Sequence, residues 1–213
     1  MINRQTTRVV FFIIGLLLVT FGNALSIISG AGNGMWTAAS LGLSQVFHAP
    51  LNATIMLIGF LVIIANIFLL PLVSWRHVAG SVLFVFFFGE LIHAFALSFF
   101  FLRRFFTGGV GQLILVVLGI LIVCLGTSFY QRANLWMYPT DYLTDILASR
   151  FFSGNVWKGQ LLAFLPAILL IFLAFIVTGH FVGIQIGTVL ALFCNGECIA
   201  FFNRFAFPSF RHY

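Results

Sequence analysis

The chain has 213 residues, 62% of them hydrophobic and only 7% charged. A water-soluble domain carries about 25% charged residues, so this composition excludes one, and lipid must solvate much of the surface. The net charge of +6 would suit nucleic acid, but the Lys and Arg residues stand singly or in pairs between apolar runs. That is a topology signal and excludes a nucleic-acid stripe.

Six runs are long enough to cross a bilayer core, which takes about 20 helical residues. The first, 9–28, follows Arg4 and Arg8 as a signal peptide would, but its length and the later runs make it a retained helix. A glycine-rich turn at 29–34 leads into a shorter piece at 35–48, closed by Pro50. Long runs follow at 53–72, 78–102 and 110–130. A second short piece, 139–152, starts on Pro139, which suits a first helical position, with Thr140 or Asp141 able to cap. The last long runs are 158–177 and 181–203. None alternates with period two, which excludes a membrane β-barrel. The short pieces, at about 14 residues, reach only ~21 Å as helices, less than the core thickness. They read as half-helices in the membrane or its interface. The expected fold is an all-α membrane bundle of six transmembrane helices and two half-helices.

One stretch occurs twice. Residues 78–92 read VAGSVLFVFFFGELI and residues 185–199 read QIGTVLALFCNGECI, identical at seven of fifteen positions, where chance gives roughly two or three. Gly80 pairs with Gly187, Gly89 with Gly196 and Glu90 with Glu197, and Ser81 faces Thr188. Gly15 and Gly22 match Gly119 and Gly126 at a constant offset. Two units are therefore expected, 1–109 and 110–213, each ordered long, short, long, long. With six spans the units are inverted, and eight basic residues fall on the N-terminal side: Arg4, Arg8, Arg76, Arg132, Arg150, Lys158, Arg204 and Arg211. Only Arg103 and Arg104 fall opposite, which places both termini in the cytoplasm. With eight spans the split is again eight to two, so length, not charge, favours six.

Two of the four acidic residues are the repeated Glu90 and Glu197. A carboxylate deep in a bilayer costs on the order of 2.5–3.5 kcal/mol. Such a group is expected to face the bundle interior, either as an ion or substrate site at the repeat axis or as a protonated structural link. His93 shares the face of Glu90 and could relay a proton or simply hydrogen-bond. Gln185, Thr188 and Asn195 form one stripe of the last helix and, with Asn23 and Asn66, either line a polar path or link helices. Asp141, like Ser81, is a candidate for the substrate or ion site; otherwise Asp141 caps the second short helix and Asp145 faces water beside Arg132 or Arg150. Gly80, Gly89, Gly183, Gly187 and Gly196 read as packing residues, with Gly183 and Gly187 a GxxxG pair. Cys194 and Cys198, with no third ligand, give no metal site. No motif of an enzyme or nucleotide site is present, so no catalysis and no cofactor are expected.

The run Ala31-Gly32-Asn33-Gly34-Met35-Trp36-Thr37 resembles the L-G-x-G-P-W-D element that follows the first helix in the YczE/YyaS/YitT group of bacterial membrane proteins. Leu135-Trp136-Met137-Tyr138-Pro139-Thr140-Asp141 occupies the same place in the second unit, and the G-[ST]-V-L start of the third and sixth long helices is also similar. Met35 and Thr37 replace the Pro and Asp of the pattern, and the second copy lacks both glycines. The resemblance implies a bacterial inner-membrane protein of about six spans, linked to transport or to production of secreted metabolites. The expected function is a secondary transporter or exporter of a small solute, with a proton as possible coupling ion. The alternative is a non-transporting accessory protein for a membrane partner. Lipid is the expected partner, with a homo-oligomer or a membrane protein as further possibilities.

Overall fold

The structure is a computed structural model that describes residues 4–70, 72, 74–208 and 210. Pro71, inside the second expected run, and Arg211, weighed above for orientation, lie outside the described residues. Eight α-helices follow in order: α1 (Arg4–Ser29), α2 (Met35–Phe47), α3 (Leu51–Leu69), α4 (Trp75–Ser98), α5 (Gly108–Ala133), α6 (Pro139–Phe151), α7 (Val156–Thr178) and α8 (Ile186–Phe205). There is no strand among the described residues. All except α2 and α6 are long and apolar enough to span a bilayer, and these two have 13 residues each. The chain is a multi-pass membrane protein.

The boundaries moved where polar or glycine residues act. The third long run stops at Ser98 and tightens into a 3-10 turn over Phe100–Arg104. The last begins at Ile186, not 181, because Gly183 takes a left-handed φ of 70° and breaks the run.

Two compact units form, and each draws helices from both halves of the sequence. The first contains α1, α5, α8 and the last part of α4. Here α1 and α5 pack antiparallel. A Cβ on Gly22 would lie 2.6 Å from the Gly119 carbonyl oxygen, while Arg8, at the start of α1, reaches the end of α5. Small residues let the backbones approach this closely. An antiparallel α1–α5 pair fits an even number of crossings between them, as with the two candidate spans α3 and α4. On the other side α5 meets α8 through Val116, Ile120, Cys124 and Ala191.

The second unit contains α2, α3, α6, α7 and the first part of α4. Gly59 lies against Val85, and Gly89 against Met56 and the Asn52 carbonyl. The Thr54 hydroxyl donates to the Ser40 carbonyl at 3.0 Å, joining α3 to α2. α7 rests on both short helices; Gly42 of α2 lies against Ala174, and Gly159 against Ala148 of α6. Only 22% of the apolar part of α7 and 17% of that of α8 is buried, against 56% for α1 and α5. In a bilayer those open apolar faces meet lipid.

Candidate functional site

Each short helix is preceded by a few residues of non-helical backbone, and the most closely held polar groups gather there. α1 ends in a left-handed Gly30 (φ 67°), the common glycine stop of a helix. Residues 31–33 are then buried. The Gly187 N–H donates to the Ala31 carbonyl at 2.8 Å, and the Asn33 N–H donates to the Gly183 carbonyl at 3.0 Å. The Asn33 N–H also reaches the Thr188 hydroxyl at 3.1 Å. That hydroxyl accepts from the Gln185 N–H at 3.3 Å and faces the Gly183 carbonyl at 3.2 Å. Gly32 is required twice over: its φ is 116°, and a Cβ there would sit 2.7 Å from the Thr188 nitrogen.

The second junction, 136–138, is built from different atoms in the same manner. The Ser81 hydroxyl donates to the Met137 carbonyl at 3.4 Å. The Asn66 Nδ2 donates to the Pro139 carbonyl at 2.9 Å. Gly80 leaves room for the Trp136 indole, which any Cβ there would overlap. Tyr138 packs on Phe88 with ring centroids 4.3 Å apart and on Phe84 at 5.7 Å. Burial, and next the Asp141 carboxylate, push its phenol above the ordinary value of 10.0. Pro139 takes the first turn of α6, as its fixed φ suits. Asn66, Ser81, Tyr142, Ser74 and His77 line a small pocket beside this junction, with Asn66 and Ser81 buried in it and Ser74 and His77 at its exposed rim.

Ser81 and Thr188, matched by the repeat, thus play matched parts. Each begins the last long helix of its own half and holds the segment that leads into the short helix of the other half. Gly80 and Gly187 do the same by leaving space. Other expectations need correction. Glu197 is exposed on α8, whereas Glu90 is half-buried on α4, so the duplicated carboxyls do not share an enclosed setting. His93 is half-buried near Glu90, and neither lines the Asn66 pocket. Gly183 and Gly187 are not a helical GxxxG pair, because Gly183 sits in the turn before α8. Gly196 packs against nothing within 4 Å. Gln185 is the N-cap of α8, forming a capping box with Thr188, so it does not belong to a helix stripe. Asn195 faces α5, where the Cys124 thiol approaches its Oδ1 at 3.6 Å. Asn23 Nδ2 donates to the Val19 carbonyl of its own helix at 2.8 Å.

Sequence reasoning missed the most deeply buried charge. Arg132 is 1% exposed. Its Nη2 donates to the Ala206 carbonyl at 2.8 Å and its Nη1 to the Phe210 carbonyl at 2.9 Å and the Phe207 carbonyl at 3.3 Å. The Phe129 and Phe210 rings flank it at 5.5 and 5.3 Å. Arg8 binds the Ala133 and Asn134 carbonyls at the end of α5, at 2.8 and 2.7 Å. Arg150 binds the Leu69 carbonyl at the end of α3. Each cation meets the negative end of a helix dipole, where it is favoured.

A family model described as a family of unknown function (DUF6198) matches residues 6–204, nearly the whole chain. No curated protein and no solved structure matches.

Proposed function

We propose that this chain, which belongs to the DUF6198 family, is a secondary transporter or exporter of a small solute, built from two inverted repeats. The observation that carries the reading is the pair of non-helical junctions before the short helices: 31–33, which is buried, and 136–138, where Tyr138 is buried and Trp136 is exposed. Within a membrane protein, irregular backbone is tolerated only where protein encloses it or where it lines a cavity. Repeat transporters hold solute and coupling ion at such broken helices. The repeat is supported by the matched work of Ser81 and Thr188 and by the antiparallel packing of α1 on α5.

The arrangement fits a bacterial inner membrane with both termini cytoplasmic, as in the YczE/YyaS/YitT proteins that the chain resembles. The six-span topology ends α3, α5 and α8 on the cytoplasmic side. Those are the helices whose last carbonyls Arg150, Arg8 and Arg132 hold. Cations at cytoplasmic helix ends follow the positive-inside rule.

Purified protein in liposomes, challenged with small solutes under a pH gradient, tests the reading. A solute-dependent current is expected, weakened by Glu90→Gln and by Thr188→Val. Currents equal to those of empty liposomes across amines, amino acids and small acids would sink it. Glu197 supports a second reading, an accessory protein that docks on a membrane partner or on its own copy. An acid exposed on a largely lipid-facing helix is costly unless something covers it. Loss of a co-purifying partner or of a dimer on Glu197→Leu, with no flux in either protein, is the result this reading requires.

A further inference from the structure

Where α3 ends, an open cavity of about 440 Å³ lies between Phe68, Leu69 and Leu70 on one side and Ile146, Ser149 and Arg150 of α6 on the other. Small-molecule sites run from roughly 300 to 1,000 Å³. The cavity stands at the edge of the bilayer, because Leu69 is the last residue of a candidate span. Its wall is mostly apolar, and Phe68 is 83% exposed. The one charge that lines it is the Arg150 guanidinium. A guanidinium carries five N–H donors. Arg150 Nη1 gives one to the Leu69 carbonyl, and the others meet no acceptor among the described residues. Asp145, five residues earlier on α6, does not line the cavity and makes no ion pair with Arg150 among the described residues.

The lining specifies the chemistry. An exposed guanidinium with donors to spare matches a phosphate, which it can hold by two parallel bonds. Lys158, exposed in the first turn of α7, adds positive charge shortly after α6 ends. The apolar wall at the end of a span matches an acyl chain. A soluble anion has no use for that wall, and a zwitterionic lipid brings a cation towards Arg150. Basic pockets between membrane helices hold anionic lipid headgroups in this way. We propose that this cavity binds one anionic phospholipid, with its phosphate on Arg150 and an acyl chain along Phe68. The lipid ties the end of α3 to the end of α6. The site does not depend on transport: a lipid held here would brace the two helices in a protein that moves nothing, so the binding test and the flux test fail separately.

The test measures the thermal midpoint of the purified full chain in detergent, with phosphatidylglycerol or phosphatidylcholine of the same acyl chains added at equal molar ratio. Phosphatidylglycerol is expected to raise the midpoint by on the order of 2 °C or more over phosphatidylcholine, and Arg150→Gln to remove the difference. Because Arg150 also holds the end of α3, Ser149→Asp is made in parallel. It changes an exposed residue, keeps Arg150 and sets a negative charge in the cavity, so it too should remove the difference in a folded protein. Arg104→Gln, which takes away an exposed cation outside the cavity, should leave the difference intact. Equal midpoints in the two lipids overturn the proposal. So does a difference that persists unchanged in Arg150→Gln or in Ser149→Asp, or one that Arg104→Gln removes as fully. Glycerol phosphate, which has no acyl chain, should give no shift; a shift as large as that of the lipid would make this a site for soluble anions and overturn the lipid assignment.

Discussion

Gly15 of α1 and Gly126 of α5 answer each other. A Cβ on Gly15 would lie 2.8 Å from the Gly126 carbonyl oxygen, and one on Gly126 would lie 2.7 Å from the Gly15 carbonyl oxygen. Gly22 and Gly119 repeat the exchange, at 2.6 and 2.7 Å. Residue i meets j and j meets i, so the contact is reciprocal. The obstructing atoms are backbone, so neither helix can yield by a rotamer change. Gly15→Ala or Gly126→Ala should cost ~1–3 kcal/mol, the usual price of overpacking, and lower the unfolding midpoint in detergent. The two together should cost less than their sum, since one separation of the helices relieves both. Gly196→Ala, with open space around it, is the control and should leave the midpoint unchanged or raise it. Equal losses at Gly196 and Gly126 would refute the close-contact account.

Arg132 holds the end of α8 through its guanidinium. Arg132→Met keeps the apolar stem but takes the donor from the carbonyls of Ala206 and Phe210, of which the bond to Phe210 is wholly buried, while the Phe207 carbonyl keeps the Phe210 N–H at 2.9 Å. The loss should be on the order of 2–5 kcal/mol, from two unmet acceptors at about 1–3 each. Arg132→Lys should recover only a minor part, because an ammonium on a flexible stem lacks the planar fork. Protease susceptibility of the segment after α8 checks this. A variant as resistant as the wild type would show that the phenyl rings alone hold the segment.

Periodicity and length made the helices legible, because each span is a local property of about twenty residues. Both short helices were legible as well, from a glycine turn and from Pro139. What stayed hidden depends on partners far along the chain. Nothing near Arg132 in sequence announces carbonyls 74 to 78 residues away. Glu197 repeats Glu90 in sequence, yet α8 is far more open than the text of its residues suggests. A duplicated residue type fixes depth along a helix but not the face that a neighbour covers. Gly183 and Gln185 misled for a simpler reason: a turn placed five residues later than expected moves a residue from a helix stripe to a cap. The junctions fell between these cases. Ser81 and Thr188 were legible as a matched pair, but what they hold was not.

Those two hydroxyls should differ in weight. Thr188 Oγ1 serves two backbone N–H groups at 3.1 and 3.3 Å, whereas Ser81 makes one bond at 3.4 Å, near the limit of useful geometry. Thr188→Val, which keeps the shape, should cost ~1–2 kcal/mol for the stranded donors and the lost capping box. Ser81→Ala should cost under about 1 kcal/mol. Chemical unfolding ranks them, and faster exchange of the Asn33 amide in Thr188→Val localises the effect. A larger loss for Ser81→Ala would reverse the assignment.

Tyr138 makes the fold sensitive to alkali, with a sign that can be worked out. Its phenol is raised above 10.0 by burial first and by the Asp141 carboxylate second. An unfolded tyrosine ionises near 10. Below that pH the phenol is neutral in both states, and its contribution to stability is fully present. As pH rises from about 10 towards the folded value, the unfolded chain alone loses the proton, and stability falls. Thermal midpoints should therefore be flat in this respect between pH 8 and 10 and then decline. Tyr138→Phe should decline less steeply over the same interval, because it removes that ionisation from the unfolded chain. Tyrosinate absorbance gives the second reading: in folded protein at pH 11 the wild type and Tyr138→Phe should show the same amount, and the difference of one tyrosinate should appear only on unfolding. A wild-type excess before unfolding would mean that Tyr138 is open to solvent, and the packing of its ring on Phe84 and Phe88 would then have to be abandoned.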